Sequence, residues 1–477
     1  MTTSTRVLLD RSTIYVDGQW ISVTGDGAIE VLDPATETHL GTVPIATAGD
    51  VDSAVTAAQA ALEGWSARSP RERGKWIQRI AEAIDSRADE FAELISREIG
   101  MPVHQSRSIQ VALAVGDLTA IPEAVEEIAW EQQVGNSIVT REAVGVVAAI
   151  TPWNYPLHQV TAKVGGALAA GCTVVVKPSE IAPLSIFLLA EVIDEVGLPH
   201  GVFNLVCGDG ATTGEALVGH PGIDMVSFTG STRAGRRISE IAAASATPTA
   251  MELGGKSASV ILDDADIEQA VTVSLSKCYQ NAGQTCNALT RILVPRAHLA
   301  RAERAAAAAA ATYRVGHPFD PASTMGPLAS AAQQQRVLDH ITGAIAVGAR
   351  VVAGGPTAQH APGYYVAPTV FSDVTADMAI AREEVFGPVA VIIAFDDDTE
   401  AIALANDSEY GLGGAVWSGN QDRALDVARR IRTGQISING GAYNARAPFG
   451  GVKSSGHGRE GGQFGIEEFL TYKSLQL

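Results

Sequence analysis

A handful of short segments in this chain hold residues whose types and spacing suit covalent chemistry. Gln280-Asn-Ala-Gly-Gln-Thr-Cys286 sets a cysteine among amides and hydroxyls, and Met251-Glu-Leu-Gly-Gly-Lys256 carries a carboxylate at the end of a strand-like run. A thiolate is a strong nucleophile, and a carboxyl whose pKa is raised by burial accepts protons near neutral pH, so Cys286 and Glu252 form a candidate nucleophile and base. The remaining cysteines, Cys172, Cys207 and Cys278, are read as small buried apolar residues. In Thr151-Pro-Trp-Asn-Tyr-Pro156, Asn154 offers an amide to a developing oxyanion from a loop stiffened by two prolines.

Two other segments suit a nucleotide. In Phe228-Thr-Gly-Ser-Thr232, Gly230 relieves backbone crowding and Ser231 or Thr232 caps the next helix, whose free N–H groups and dipole attract an anion. An ordinary strand-to-helix turn uses the same residues, and the Gly-x-Gly-x-x-Gly pattern is missing. Lys177 and Glu180, in Val174-Val-Val-Lys-Pro-Ser-Glu180, stand where both could reach a ribose. A solvated strand end, with Pro178 as a first helical residue, explains them equally well.

These segments need a frame that brings them together. Strand-like runs at 146–150, 173–176, 202–206, 225–228 and 249–252 alternate with helical patterns at 157–170, 184–196, 212–220 and 232–244. That succession predicts a parallel sheet with right-handed crossovers and ligands beyond the carboxyl ends of its strands. A second αβ series follows: helices near 267–281, 299–312, 331–347 and 400–405, strands at 291–294 and 391–394, and a strand–helix–strand from 414 to 439. The span 66–99, with Trp76, Ile80, Ile84, Phe91 and Leu94 at helical spacing, reads as core helix. Residues 123–141, with Gly135-Asn136 as a turn, read as an isolated hairpin. Two strands alone are marginal in water, so this hairpin must lie on the C-terminus or on a neighbouring subunit.

Composition narrows the classes. The 477 residues allow two or three domains, and 34 Lys+Arg against 53 Asp+Glu leave a net charge of −19, which repels nucleic acid and anionic membranes. Four scattered cysteines fit a reducing compartment, and no Cys-x-x-Cys or His-Glu-x-x-His pattern supports a metal. Residues 1–10 lack a signal-peptide core, and unbroken apolar runs are shorter than the ~18 residues of a membrane span, so a cytoplasmic location is expected.

Taken jointly, Pro152-Trp-Asn154, Lys177-Pro-Ser-Glu180, Phe228-Thr-Gly-Ser-Thr232, Glu252-Leu-Gly-Gly-Lys256, Gly283-Gln-Thr-Cys286, Glu383-Glu-Val-Phe-Gly-Pro388 and Pro448-Phe-Gly-Gly451 resemble the aldehyde dehydrogenase superfamily, in its order and over nearly the whole chain. The resemblance implies an α/β fold: a Rossmann-like cofactor domain (1–122 and 142–253), an α/β catalytic domain (254–445), and an oligomerisation hairpin (123–141) with a C-terminal arm (446–477). It implies Cys286 as nucleophile, Glu252 as general base, and Asn154 with the Cys286 N–H as oxyanion hole. Lys177 supports both cofactor and active site; Trp153, Glu180, Gly230, Ser231, Leu253, Glu384 and Phe386 complete the cofactor set, with no metal. The cofactor implied is NAD, with NADP as the second choice, since Glu180 repels a 2′-phosphate.

The same resemblance implies oxidation of an aldehyde through a cysteine-bound thioester that Glu252-activated water hydrolyses. A relative that acylates coenzyme A generally lacks the Glu252 carboxylate. A catalytically silent cofactor-binding member would keep the same frame. A thiol hydrolase would need a histidine to activate Cys286, and none adjoins it in sequence. The entry tunnel is implied to comprise Tyr155, His158, Gln159, Gln280, Thr285, Tyr443 and Phe449, a set suited to polar or functionalised aldehydes. A homodimer or homotetramer is expected.

Overall fold

The computed structural model describes residues 9–357 and 362–477; the signal-peptide reading falls largely on residues outside that range. Five adjacent parallel strands, in the order Thr249–Glu252, Met225–Thr229, Val146–Ile150, Thr173–Lys177 and Phe203–Leu205, form the centre of an eight-stranded sheet. Both faces are buried, as continuous Val/Ala runs require, and the side chains alternate between two cores. Val147, Ala149, Val174 and Val176 enter one, whereas Val146, Ala148, Ile150, Val175 and Val226 enter the other. Strands absent from the sequence reading close both edges antiparallel: Thr13–Val16 with Gln19–Ser22 at one end, Gly456–His457 at the other.

The second unit holds a seven-stranded sheet in the order Arg350–Ala353, Thr369–Ser372, Val389–Phe395, Arg291–Pro295, Ala258–Ile261, Gly414–Trp417 and Ser437–Ile438. All its pairs are parallel except the first. Three of these strands, Ala258–Ile261, Arg350–Ala353 and Thr369–Ser372, are short and escape a periodicity reading.

The span 66–99 is not one helix. Helices Ala48–Ser66, Pro70–Ser86 and Ala88–Ile99 divide it, because Ser69 caps its successor and Pro70 takes a first helical position. The expected hairpin begins late: 123–127 end the helix Ala112–Glu127, and the strands are Glu131–Val134 and Ser137–Ala143. Its second strand, Ser137–Ala143, pairs on its other side with Leu470–Gln476, so the C-terminus extends the hairpin into a three-stranded sheet. One helical run, Val103–Glu127, is long and apolar enough by length and composition to cross a membrane. Asp117 and Thr119 interrupt its apolar residues, which hid it from a count of unbroken runs. Its Ala114, Leu118, Ile121, Ala124 and Val125 are buried in the core of the first unit.

Helix Leu184–Val196 begins at Pro183, which cannot cap it. The buried Glu98 carboxylate does so from helix Ala88–Ile99, accepting from Leu184 N and, at 3.0 Å, from Ser185 N. Burial raises the Glu98 carboxyl to about 7, against the opposing effect of these bonds. A raised carboxyl stabilises the fold below its unfolded pKa and loses that contribution as pH rises through about 7. The stability advantage of wild type over Glu98→Gln is therefore expected to shrink by about 3 kcal/mol between mildly acidic and mildly alkaline pH. Denaturant melts of the two proteins across that range check it; a constant difference contradicts the assignment.

Candidate active site

The residues singled out for chemistry lie where the parallel strands end. Asn154 follows strand Val146–Ile150, Lys177 ends its own strand, Gly230 and Ser231 follow Met225–Thr229, and Glu252 ends the next. Across from them, in the second unit, is the loop carrying Cys286. Helix Ile267–Tyr279 stops two residues before the expected boundary, because Asn281, Ala282 and Gly283 all adopt left-handed backbone, at φ 53°, 53° and 77°. For Asn281 and Ala282 this conformation is strained, at about 1–3 kcal/mol each. Gly283 is required: a Cβ there would lie 2.0 Å from Gly387 O.

Asn154 and Gln284 join the two units. Asn154 Nδ2 donates to Gln284 O at 3.0 Å, and the Asn154 carbonyl accepts from Gln110 Nε2 (3.0 Å) and Asn281 Nδ2 (2.8 Å). Gln284 is itself tied, its Oε1 accepting from Ala329 N and its Nε2 donating to Asn281 O. An amide nitrogen carries two hydrogens, so one on Asn154 remains for an oxyanion two residues from Gln284, at Cys286. Burial and the charges of Glu384, Glu252 and Glu460 push the Cys286 thiol up, so the resting sulfur is a thiol, not the free thiolate that nucleophilic attack needs.

Glu252 is buried, and both its carboxylate oxygens lack a partner among the described residues. Burial, then the charge of Glu460, raises its pKa well above the ordinary carboxyl range. Gly450, of the Pro448–Gly451 segment, sits so close that a Cβ there would lie 2.7 Å from Glu252 Oε1. Glu460 pairs with Lys163 at 2.7 Å, and both are nearly buried. Lys163 lies in the Ala/Gly/Val-rich helix Pro156–Ala170; a lone charge in so apolar a helix is a sequence signal that the motif reading passed over.

The cofactor candidates cluster as well. Trp153 meets Phe386 edge-on at 5.5 Å, and Phe386 has a positive φ of 58°. Gln333 Nε2 holds that loop through the carbonyls of Val385 and Phe386, and Arg336 Nη2 donates to Glu384 O. Glu384 Oε1 accepts from Gly255 N at 2.9 Å. Lys177 Nζ donates to Pro178 O and stands 3.7 Å from the Glu180 carboxylate. Ser231 caps helix Thr232–Ala243, accepting from Ala234 N, and Leu253 packs against that helix at Gly235.

Of the tunnel candidates, three satisfy one another: Gln280 Nε2 donates to Tyr155 OH (2.9 Å), which bonds Thr285 Oγ1 (3.0 Å), which in turn donates to Gln280 O (3.3 Å). Burial leads in raising the Tyr155 phenol to about 12. His158, Tyr443 and Phe449 line a narrow cavity with Asp117 and Glu460. Gln159 is buried, and its side-chain oxygen has no partner among the described residues.

A cysteine thiol and an uncommitted buried carboxyl beyond the carboxyl ends of a doubly covered parallel sheet suit a thiol enzyme with a nucleotide crevice. Residues 20–475 match the model of the aldehyde dehydrogenase family, and the chain belongs to that family of oxidoreductases. It is 46% identical over 470 residues to 3-succinoylsemialdehyde-pyridine dehydrogenase of Pseudomonas sp, covering 98% of each chain. It is 43% identical over 476 residues to geranial dehydrogenase of Castellaniella defragrans, covering 98% and 99%. Among solved structures it resembles aldehyde dehydrogenase C of Pseudomonas syringae, in complex with NAD+ and octanal, with a TM-score of 0.96 and 45% identity over 98% of this chain and 96% of that one.

Gly283→Ala forces Gly387 away and so displaces the Cys286 loop. It is expected to cut kcat/KM at least about tenfold, as small misplacements of reacting groups do. Steady-state kinetics beside a thermal melt test this; full activity in the variant contradicts the packing argument.

Proposed function

We propose that this protein oxidises an aldehyde to its carboxylic acid with NAD+, through a thiohemiacetal and then a thioester on Cys286. The observation that carries the reading is the convergence of three groups: the Cys286 sulfur, an Asn154 amide tied to the same loop, and the unpaired Glu252 carboxyl. As the carbon–sulfur bond forms, the Cys286 proton leaves for Glu252, and the alkoxide is held by Asn154 Nδ2–H and the Cys286 N–H. One well-placed oxyanion donor is worth about 2.7–4 kcal/mol. Bound NAD+ supplies the hydride acceptor that converts the thiohemiacetal to a thioester. Glu252 loses the Cys286 proton to solvent and then takes one from water as it attacks the thioester; that proton passes to the departing Cys286 sulfur, and the acid and the thiol are released.

The residues at the strand ends fit the cofactor. Thr151 and Thr229 hydroxyls there are buried without a partner among the described residues, and a capped helix N-terminus adjoins them at Ser231. Lys177 and Glu180 would hold the adenosine ribose, Gly230 and Ser231 the pyrophosphate, Glu384 the second ribose, and Trp153, Leu253 and Phe386 the ring system. Glu180 disfavours a 2′-phosphate, which supports NAD over NADP. The relative solved with NAD+ and octanal supports both cofactor and substrate class.

The protein works as a homo-oligomer in the cytoplasm. Strand Glu131–Val134 is exposed along its length, and Val134, Tyr472, Leu475 and Leu477 present apolar surface on the same three-stranded sheet, which suits a partner subunit. All four cysteines are unpaired, as a reducing compartment favours.

Cys286→Ala is expected to abolish NADH formation from any aldehyde. In Glu252→Gln, activation of Cys286 and acyl release both lose their base, so steady NADH formation is expected to fall at least about a hundredfold. Multiple turnovers at the wild-type rate in either variant defeat the corresponding role. Because the Cys286 and Glu252 pKa values are both raised, wild-type kcat/KM should climb with pH from neutrality upward.

A further inference from the structure

Helix Ala112–Glu127 places a carboxylate, Asp117, where its neighbours are apolar, and that carboxylate meets His158 at 2.7 Å (Oδ2 to Nδ1). The pair lines a cavity with Ile121, Ala162, Tyr443, Phe449 and Glu460. Tyr155 lies between it and the nucleophile: its ring is edge-on to His158 at 6.1 Å, and its hydroxyl bonds Thr285, next to Cys286. His158 is therefore one tyrosine ring removed from the reacting sulfur. Its second nitrogen, Nε2, has no partner among the described residues, although the His158 side chain is only 16% exposed.

We propose that His158, oriented by Asp117, selects aldehydes carrying one small neutral oxygen group, a carbonyl or hydroxyl, at the end remote from the reacting carbon. The inference rests on the reading that Cys286 attacks an aldehyde, and it names the substrate class of that site.

Size and charge set the class. The cavity is narrow and has room for a water-sized group between His158, Asp117, Tyr443 and Glu460. Its charges come in two pairs, Asp117 with His158 and Glu460 with Lys163, the second at 2.7 Å. Each carboxyl already has a nitrogen partner, so a neutral oxygen is accepted, whereas a substrate carboxylate meets Asp117 and Glu460. Phe449, Ile121 and Ala162 supply apolar contact for the carbon chain.

The groups facing His158 are Asp117 from the neighbouring helix, Glu460 and Tyr443 from the C-terminal segments, and Lys163 on its own helix. Burial pushes the imidazole down, but Asp117 outweighs it, and the net direction is up. The imidazolium donates from Nε2 to a ketone or a hydroxyl. Once the proton is lost with rising pH, Nδ1–H stays on Asp117 and Nε2 only accepts, so a hydroxyl still binds and a ketone does not.

The test measures kcat/KM for an unbranched alkyl aldehyde and its terminal-hydroxyl and penultimate-ketone analogues of equal length. It compares wild type with His158→Leu, His158→Gln and Asp117→Asn, each checked for folding by thermal melting. Wild type should favour both oxygenated analogues about 10–100-fold, the range for a hydrogen bond to a charged group. His158→Leu should bring the ratio to about one, chiefly through KM, while His158→Gln, which keeps a neutral donor, retains part of it. In wild type the ketone preference should vanish at high pH while the hydroxyl preference persists, and in Asp117→Asn the ketone preference should vanish at lower pH.

Equal treatment of the three aldehydes by wild type, or an undiminished preference in His158→Leu, overturns the proposal. Should His158→Leu not fold, an undiminished, pH-independent ketone preference in both His158→Gln and Asp117→Asn overturns it instead. If folded wild type oxidises none of the three with NAD+, the aldehyde reading itself has failed, and this proposal with it.

Discussion

One hydrogen bond, from the Asn154 amide to the Gln284 carbonyl, ties the strand ends of one α/β unit to the Cys286 loop of the other. The two ends of that bond come from segments that fold on separate sheets, and each is locked by further polar contacts: Gln110 and Asn281 on the Asn154 carbonyl, Ala329 on Gln284. A buried network of this kind tolerates little slack, since any member left unpaired costs roughly 1–3 kcal/mol. It therefore fixes the Asn154 amide against the loop that carries Cys286. The left-handed run at 281–283 is the local distortion that makes the geometry possible, held against the Gly387 carbonyl on one side and the Asn154 carbonyl on the other.

The electrostatics follow from that enclosure. Glu252, Glu384 and Glu460 all act on the Cys286 thiol, and burial raises the Glu252 and Glu384 carboxyls themselves. A cluster of carboxyls around a thiol is unfavourable to the thiolate on its own. It is suited to a site whose bound ligand carries positive charge. Lys163 offsets part of the negative charge from an apolar helix, where a lysine is retained only because Glu460 meets it.

Much of this was legible in the residues. The five parallel strands and the positions beyond their ends follow from runs such as Val174–Val176, buried on both faces, and from the helices that cover them. The turn Gly135-Asn136 marked the hairpin, and the instability of two isolated strands called for cover by the C-terminus or a neighbouring subunit; the C-terminus supplies it on one side. What escaped depends on contacts distant in sequence. Strand Gly456–His457 has two residues and takes its identity from pairing with Met251 and Glu252. Glu98 caps a helix 86 residues away. The tunnel residues Tyr155, Gln280 and Thr285 look like open polar groups in sequence, yet in the fold they bond one another. Asp117 and Lys163 had a signal, a charge inside an apolar helix, that motif spacing does not weigh.

The pairing of Met251 with His457 also has a temporal side. The polypeptide leaves the first sheet at Glu252, builds a whole second unit, and comes back about two hundred residues later to seal that edge. During synthesis on the ribosome, strand Thr249–Glu252 must wait with one flank of backbone donors and acceptors open until nearly all of the chain has emerged. An unsealed flank is a template for intermolecular pairing, so the nascent protein is most prone to aggregate, and most dependent on chaperones, in the interval before its last segment arrives.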